Sequence, residues 1–262
     1  MDGMIPAKGS NTERAVEQLR YGGPSPDYKT YDKGVEYAIA GNFVKAQVEF
    51  NKISKSNLLY PSATSSNKVI QDAISNEDLR KSIIEFFKAH SSHHKKQYNL
   101  AILGYDKSIK LSPQYAKTYY HQGMLFSLTR QKNRAMANFN KAIELDPKFG
   151  DVYSSRGRIY MDEKKDDLAI SDFSKAIELS NDPYAYMNRA QIYIGKGKYP
   201  EAVDDANMMI SVNSKNPIGY NILGYIDVKL NNKAQACVNY KKACELGSCD
   251  GLIEKEQSGY CS

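Results

Sequence analysis

All four histidines of this 262-residue chain fall in one stretch, at His90, His93, His94 and His121. A spacing of four residues puts His90 and His94 on one face of a helix. Clustered imidazoles can bind a divalent metal ion, or on protonation attract an acidic ligand. No cysteine, aspartate or glutamate accompanies them at metal-ligand spacing. A third interpretation, a solvated helix end, therefore stays open beside these two.

The four cysteines lie in the last 26 residues, at Cys237, Cys244, Cys249 and Cys261. Their spacing differs from that of paired CxxC zinc sites. In one interpretation they are small buried hydrophobic residues of a protein in a reducing compartment. In the other, one or two disulfides staple the C-terminal cap, with Cys261 joined to Cys244 or Cys249.

Catalytic motifs are absent from the sequence: it holds no nucleophile elbow, P-loop, HExxH motif or dinucleotide fingerprint. The segment GKGKY at 195–199 lacks the strand and the Ser/Thr that a phosphate loop needs. The acidic pairs Asp166–Asp167 and Asp204–Asp205 begin or lie on helices, where negative charge suits the N-terminal dipole. We therefore predict no enzymatic activity, no catalytic residue, no resident metal and no cofactor.

The composition narrows the class of partner. Hydrophobic residues make up 41% of the chain and charged residues 25%, which is typical of a globular protein. The formal net charge of +6 favours acidic partners without requiring them. The sequence has neither a long run of like charges nor a nucleic-acid-binding motif, so we expect no nucleic acid partner.

Membrane and targeting signals are also lacking. No stretch approaches about 18 consecutive apolar residues, so we expect no membrane span. The N-terminus lacks the apolar core of a secretory signal. The protein is expected in the cytoplasm if Met1 is the native start, and in the periplasm or outside the cell if a signal peptide has been removed. The oligomeric state stays open.

A repeat of 33 or 34 residues organises the second half of the chain, at 116–149, 150–182, 183–216 and 217–250. Counting places from the start of each unit, the eighth is small in every unit: Gly123, Gly157, Ala190 and Gly224. The twentieth is always alanine: Ala135, Ala169, Ala202 and Ala236. Apolar stripes of helical period predict two antiparallel helices per unit. Because small side chains let two helices approach closely, we predict that the helices of a unit cross where place eight meets place twenty. The aromatic residue at place twenty-four should fill the space beside this crossing.

Two weaker units lie upstream, at 27–60 and 82–115. The residues between them do not fit the repeat, and their Ser and Asn clusters predict a short helix near Val69–Ile74 between two loops. An open-ended stack needs a cap, and a short helix after the last unit supplies one. We therefore predict an extended or disordered segment at 1–26, a divergent unit at 27–60, an insert at 61–81, five contiguous units over 82–250, and a capping helix and tail at 251–262.

These columns resemble those of the tetratricopeptide repeat family, over roughly 27–250 apart from the insert. The resemblance implies an all-α, right-handed superhelical solenoid of helix-turn-helix units. In that family the first helices line a concave groove that takes peptides, helices or loops of partner proteins. The chain departs from the family pattern in two ways: tyrosine replaces tryptophan at place four, and no proline follows Leu179.

The residues that line the groove are expected on the face of each first helix that points away from the second helix. They are Tyr120, His121, Met124, Ser155, Arg158, Met187, Asn188, Gln191, Asn221 and Tyr225. Aromatic, methionine and arginine side chains are enriched at the centres of protein interfaces. We predict an interaction scaffold that binds a peptide or protein partner in this groove. The alternative is a receptor for a metal or an acidic ligand, centred on His90, His94 and His121.

One subgroup of the family grips the C-terminal carboxylate of heat-shock chaperones with Lys and Asn residues in three units. Asn188 matches the middle asparagine of that pattern. The flanking places hold Ser154 and Arg158 in the preceding unit, and Ile218 and Ile222 in the following one. The resemblance therefore does not extend to the carboxylate clamp.

Overall fold

The computed structural model describes residues 26–53, 60–74 and 76–261, and these residues form fourteen α-helices without a β-strand. The predicted all-α class of repeated helical hairpins is confirmed. The segment predicted as extended or disordered lies, up to residue 25, outside the described residues. None of the described helices is long and apolar enough to span a membrane.

The chain forms two compact units that divide between Asp146 and Pro147. The N-terminal unit contains α1 (Pro26–Ile39), α2 (Phe43–Asn51), α3 (Tyr60–Ile74), α4 (Glu77–His94), α5 (Tyr98–Leu111), α6 (Ala116–Leu128) and α7 (Lys132–Leu145). Helices α1 and α2, α4 and α5, and α6 and α7 pair as hairpins, while α3 packs against both α2 and α4.

The C-terminal unit contains α8 (Gly150–Asp162), α9 (Asp166–Ser180), α10 (Pro183–Gly195), α11 (Tyr199–Val212), α12 (Pro217–Lys229), α13 (Lys233–Glu245) and α14 (Asp250–Gln257). Helices α8 and α9, α10 and α11, and α12 and α13 form its three hairpins, and α14 packs on α13. Its first helices lie side by side, since α10 contacts both α8 and α12.

One residue with a left-handed backbone sits at the fifteenth place of every unit. These residues are Gly41, Lys96, Arg130, Lys164, Gly197 and Asn231, with φ between 57° and 73°. The N–H of the next residue donates to a carbonyl oxygen five residues back, as Lys165 does to Tyr160 at 2.9 Å. This bond ends the first helix and turns the chain toward the second.

The closest approach within a hairpin joins place eight to place twenty-four. A Cβ atom on Gly157 would lie 2.9 Å from a ring carbon of Phe173, which is fully buried. The small residue at place eight therefore makes room for the ring. Hairpin α10–α11 has Ala190 at place eight and Ala206 at place twenty-four. The alanine that replaces glycine at place eight is thus accompanied by an alanine that replaces the aromatic ring at place twenty-four.

Helix α3 corrects the prediction for the insert. It spans Tyr60–Ile74, so the loop and short helix predicted there are replaced by one helix of 15 residues. Val69, Ile70 and Ala73 of this helix are fully buried against the core of the N-terminal unit. Tertiary packing thus outweighs the weak helix propensity of the Ser and Asn residues. Helix α4 follows after an Asn76 cap.

Two partly buried ion pairs connect first and second helices in the C-terminal unit, Arg156–Asp172 and Arg189–Asp205. Two nitrogens of each guanidinium donate to both oxygens of the carboxylate, at 2.6–3.0 Å. The hydrogen bonds that Arg156 donates to Asp172 raise the pKa of Arg156. Each guanidinium also lies within 6 Å of two tyrosine rings of its own helix. The Arg–Asp spacing of 16 residues recurs in the sequence and is the signal that identifies this pair.

The cysteines form two disulfides, Cys237–Cys261 and Cys244–Cys249. The predicted pairing of Cys261 with Cys244 or Cys249 is therefore wrong, whereas the staple across the cap is present. Helix α14 runs back along α13, so its eight residues return the chain by about 12 Å toward the first turns of α13, where Cys237 lies. Cys249 stays beside Cys244 because only a short turn separates them. No residue of α14 is fully buried.

Replacing Gly157 with alanine is expected to lower the free energy of unfolding by about 1–3 kcal/mol, because the added methyl group overpacks against Phe173. This loss should occur although alanine is the better helix former by about 1 kcal/mol. Denaturant titration followed by circular dichroism measures it. Gly195→Ala is the control, since a Cβ there meets nothing within 4 Å. Equal losses in both variants would contradict the assigned crossing.

Replacing Arg189 with methionine should cost about 3 kcal/mol, because it leaves the buried Asp205 carboxylate without its partner. The double variant Arg189→Met with Asp205→Leu should recover most of that loss. Lys175→Met, which breaks an exposed pair with Glu178, should cost less than about 1 kcal/mol. The same unfolding titration compares the three. A double variant as unstable as Arg189→Met would show that the charge of Asp205 is not the cause.

Candidate functional site

The N-terminal unit brings all four histidines into one cluster. The Nε2 atoms of His90 and His94 lie 3.3 Å apart on α4. His121 of α6 meets His90 edge to face, with ring centroids 5.4 Å apart. Phe86 lies against both, at 5.9 Å from His90 and 5.0 Å from His121. We call these residues, together with His93, the histidine cluster.

Burial keeps the histidine cluster uncharged at neutral pH. Desolvation, followed by the nearby imidazoles, holds the pKa of His90 well below its ordinary value of 6.5. The same causes lower the pKa of His93 to about 4. Burial lowers the pKa of His94, and burial with the charges of His93, Lys117 and His94 lowers that of His121 to about 3.

These contacts argue against the metal-binding part of the alternative, a metal or acidic-ligand receptor. In the described part of the chain, no three histidine, cysteine, aspartate or glutamate side chains converge where one metal ion would sit. The rings of His90, His94 and His121 pack edge to face, which builds an aromatic core layer. Lowered pKa values leave these imidazoles mostly uncharged at pH 7, which weakens attraction for an acidic ligand. His93 and His94 do lie in the last turn of the helix, but all four side chains are half-buried and not fully solvated.

The remaining predicted groove residues of the N-terminal unit border this cluster. Tyr120 is half-buried and contacts the ring of His121 at 5.1 Å and that of Phe139 at 6.3 Å. Met124 is half-buried one turn further along α6. Sequence reasoning missed Phe86, although it lies at place five of its unit, one of the places assigned to the groove.

The C-terminal unit carries the other seven predicted groove residues on its first helices. Ser155 and Arg158 lie on α8, Met187, Asn188 and Gln191 on α10, and Asn221 and Tyr225 on α12. Because α10 contacts both neighbours, these helices form one surface, which we call the first-helix face. Its side chains are half-buried apart from Arg158, which is exposed, and Asn188, which is 8% exposed.

The side chains at the two ends of the first-helix face have different surroundings. The Nδ2 atom of Asn221 donates to Ser248 Oγ at 2.9 Å, so this residue also holds the turn before α14. The ring of Tyr225 receives Lys229 Nζ at 5.2 Å from its centroid. Arg158 reaches solvent at the other end. The face therefore presents a cation, a thioether, amides and an aromatic ring.

Comparison with known proteins agrees with the hairpin geometry. A family model described as the tetratricopeptide repeat matches residues 116–149 and 150–183. Both segments are helical hairpins with a small residue against a buried ring. Residues 116–183 are therefore tetratricopeptide repeats.

Solved tetratricopeptide repeat structures share the fold. The crystal structure of MamA is 21% identical, with a TM-score of 0.56, and covers 66% of this chain and 97% of MamA. YrrB, described as a TPR protein with an unusual peptide-binding site, is 19% identical over 73% of this chain and 99% of its own, with a TM-score of 0.56. PilW, a widely conserved type IV pilus biogenesis factor, is 15% identical over 66% of this chain and 81% of its own, with a TM-score of 0.57.

A shorter match links the chain to heat shock protein STI1 of Saccharomyces cerevisiae. It is 39% identical over 61 residues, which is 23% of this chain and 10% of the yeast protein. The chain thus spans about a tenth of the length of that relative. This similarity supports the presence of the repeat. The matched segment is too short to transfer the activity or partners of the whole yeast protein to this chain.

Acidification is expected to destabilise the N-terminal unit. The histidine cluster has folded-state pKa values below 6.5, so the unfolded chain binds more protons as the pH falls below that value. Stability is fully present above pH 6.5 and declines as the pH falls toward the folded values, near 4 for His93 and near 3 for His121. Each histidine contributes up to about 1.4 kcal/mol per pH unit.

Hydrogen exchange measured between neutral and mildly acidic pH checks this, after correction for intrinsic rates. The C-terminal unit contains no histidine and serves as the internal control. The variant His90→Gln with His94→Gln should flatten the pH dependence of protection in the N-terminal unit. An unchanged slope in that variant, or the same slope in both units of the parent chain, would assign the effect to other groups.

Proposed function

We propose that this tetratricopeptide repeat protein is an interaction scaffold that binds an extended segment of a partner protein on the first-helix face. The repeat family and the solved structures of similar fold support a protein-interaction scaffold. The single observation that supports this site is the side-by-side packing of α8, α10 and α12. It gathers side chains from three consecutive units on one surface.

The chemistry of the face suits a polypeptide ligand. Met187 and Tyr225 offer apolar contact area, and both are already half-buried, so little rotamer freedom is lost on binding. Gln191 supplies an amide that can both donate to and accept from a peptide backbone. Arg158 adds a charge at one end, where a carboxylate of the partner is favoured.

Tyr120, His121 and Met124 form the corresponding surface of the N-terminal unit, and we propose that it binds through apolar and ring contacts. The support is electrostatic: His121 is uncharged at neutral pH and is packed between Phe86 and Tyr120. A flat apolar or aromatic side chain of the partner therefore fits better than a carboxylate. The proposal includes no bond-making step in either unit.

The first-helix face is tested with peptides selected from a displayed random library on the full chain. Arg158→Ala with Gln191→Ala should weaken binding of the selected peptides by about tenfold or more, which corresponds to about 1.4 kcal/mol. Fluorescence anisotropy measures the dissociation constants, and circular dichroism confirms that the variant folds.

The matched control changes two exposed residues on a second helix, Asn207→Ala with Met208→Ala on α11. This control should bind the peptides like the parent chain. Recovery of no peptide at all, or peptides whose affinity is the same in both double variants, would contradict the proposed face.

A further inference from the structure

A cleft of about 480 Å³ opens between α4 and α5 of the N-terminal unit. Its walls are Lys81, Ile84, Glu85, Lys107, Lys110 and Leu111. Half of this lining comes from a second helix, α5, whereas the predicted groove uses first helices. Lys81 and Ile84 also fall outside the places assigned to the groove.

The lysines of this cleft are unpaired. Lys81, Lys107 and Lys110 are exposed, and within the described residues none of them makes an ion pair. The one carboxylate of the lining, Glu85, is already bound by Lys88 Nζ at 2.6 Å. The cleft therefore carries an uncompensated positive charge.

This charge is a departure from the repeat. Three units have lysine at place twenty-six and glutamate at place twenty-nine, and in each the two side chains form an ion pair: Lys141–Glu144, Lys175–Glu178 and Lys242–Glu245, at 2.7–2.9 Å. In the unit at 82–115 the same places hold Lys107 and Lys110. A lysine thus stands where those three units supply the neutralising glutamate.

The cleft also presents apolar surface between its charges. Leu111 is 45% exposed, and Ile84 is half-buried on the opposite wall. Leu100 and Leu103, each 57% exposed, continue the stripe toward the start of α5, since residues three and four apart share a helix face. A ligand that matches this surface carries several negative charges and at least one apolar side chain.

We propose that this cleft binds an acidic peptide segment of a partner protein, with carboxylates at Lys81, Lys107 and Lys110 and an aliphatic or aromatic side chain between Ile84 and Leu111. The exposed apolar walls suit such a segment better than a nucleic acid backbone, whose phosphates would gain nothing from Ile84 and Leu111. None of its lining residues belongs to the first-helix face, so failure of one proposal leaves the other untouched.

The test uses the full chain and a fluorescein-labelled synthetic peptide of aspartate and glutamate interrupted by leucines, with anisotropy as the readout. Lys110→Glu should weaken binding by about tenfold or more. This variant should fold normally, because it recreates with Lys107 the ion pair found in three other units. Replacing the leucines of the peptide with glycine should also weaken binding, and added salt should weaken it further.

The matched control is Lys241→Glu, the same change of charge at an exposed, unpaired lysine of α13. It should leave the affinity within about twofold of the parent value. Gln191→Ala on the first-helix face should leave it unchanged as well. Double-stranded DNA and vesicles containing anionic lipid are the competing ligands.

Three outcomes would overturn the proposal. They are equal weakening by Lys110→Glu and Lys241→Glu, indifference to the leucines of the peptide, and Lys110-dependent binding of DNA or vesicles in the absence of peptide binding.

Discussion

The close contact at the crossing of each hairpin sets the register of everything around it. In hairpin α8–α9 the glycine at place eight receives the ring of place twenty-four, with almost no space to spare. Arg156 immediately precedes this glycine, Gly157, in the sequence, and Asp172 immediately precedes Phe173, which carries the ring. A slip of one residue between the two helices would therefore break an apolar contact and a two-bond ion pair together. This coupling gives each repeat one well-defined packing.

The turn between the helices follows from the same constraint. Place fifteen lies about midway between the two contacting places, and its left-handed backbone reverses the chain within a few residues. Lys164 and Asn231 adopt this conformation although it favours glycine. The crossing compensates for the local cost by fixing both helices in place.

The features predicted from the sequence are those that depend on local pattern. The hairpins and the small residues at place eight follow from helical period and side-chain size, which a single chain displays directly. The burial of His90 and His121 could not be read this way, because it depends on how α4 and α6 meet. The partner of Cys261 depends on the direction of α14. The full length of α3 depends on burial of Ile70, which outweighs local propensity.

The same places of the repeat therefore have different structural roles in different units. Places five, six and nine hold Phe86, His121 and His90 in the N-terminal unit, where they pack into a layer. In the C-terminal unit these places supply the side chains of the first-helix face. Packing at places eight and twenty-four leaves these positions free to differ. The exchange of glutamate for Lys110 illustrates the same freedom on a second helix. Since the repeated residues already account for the hairpin, the residues that depart from the repeat are where a binding property specific to this chain can arise.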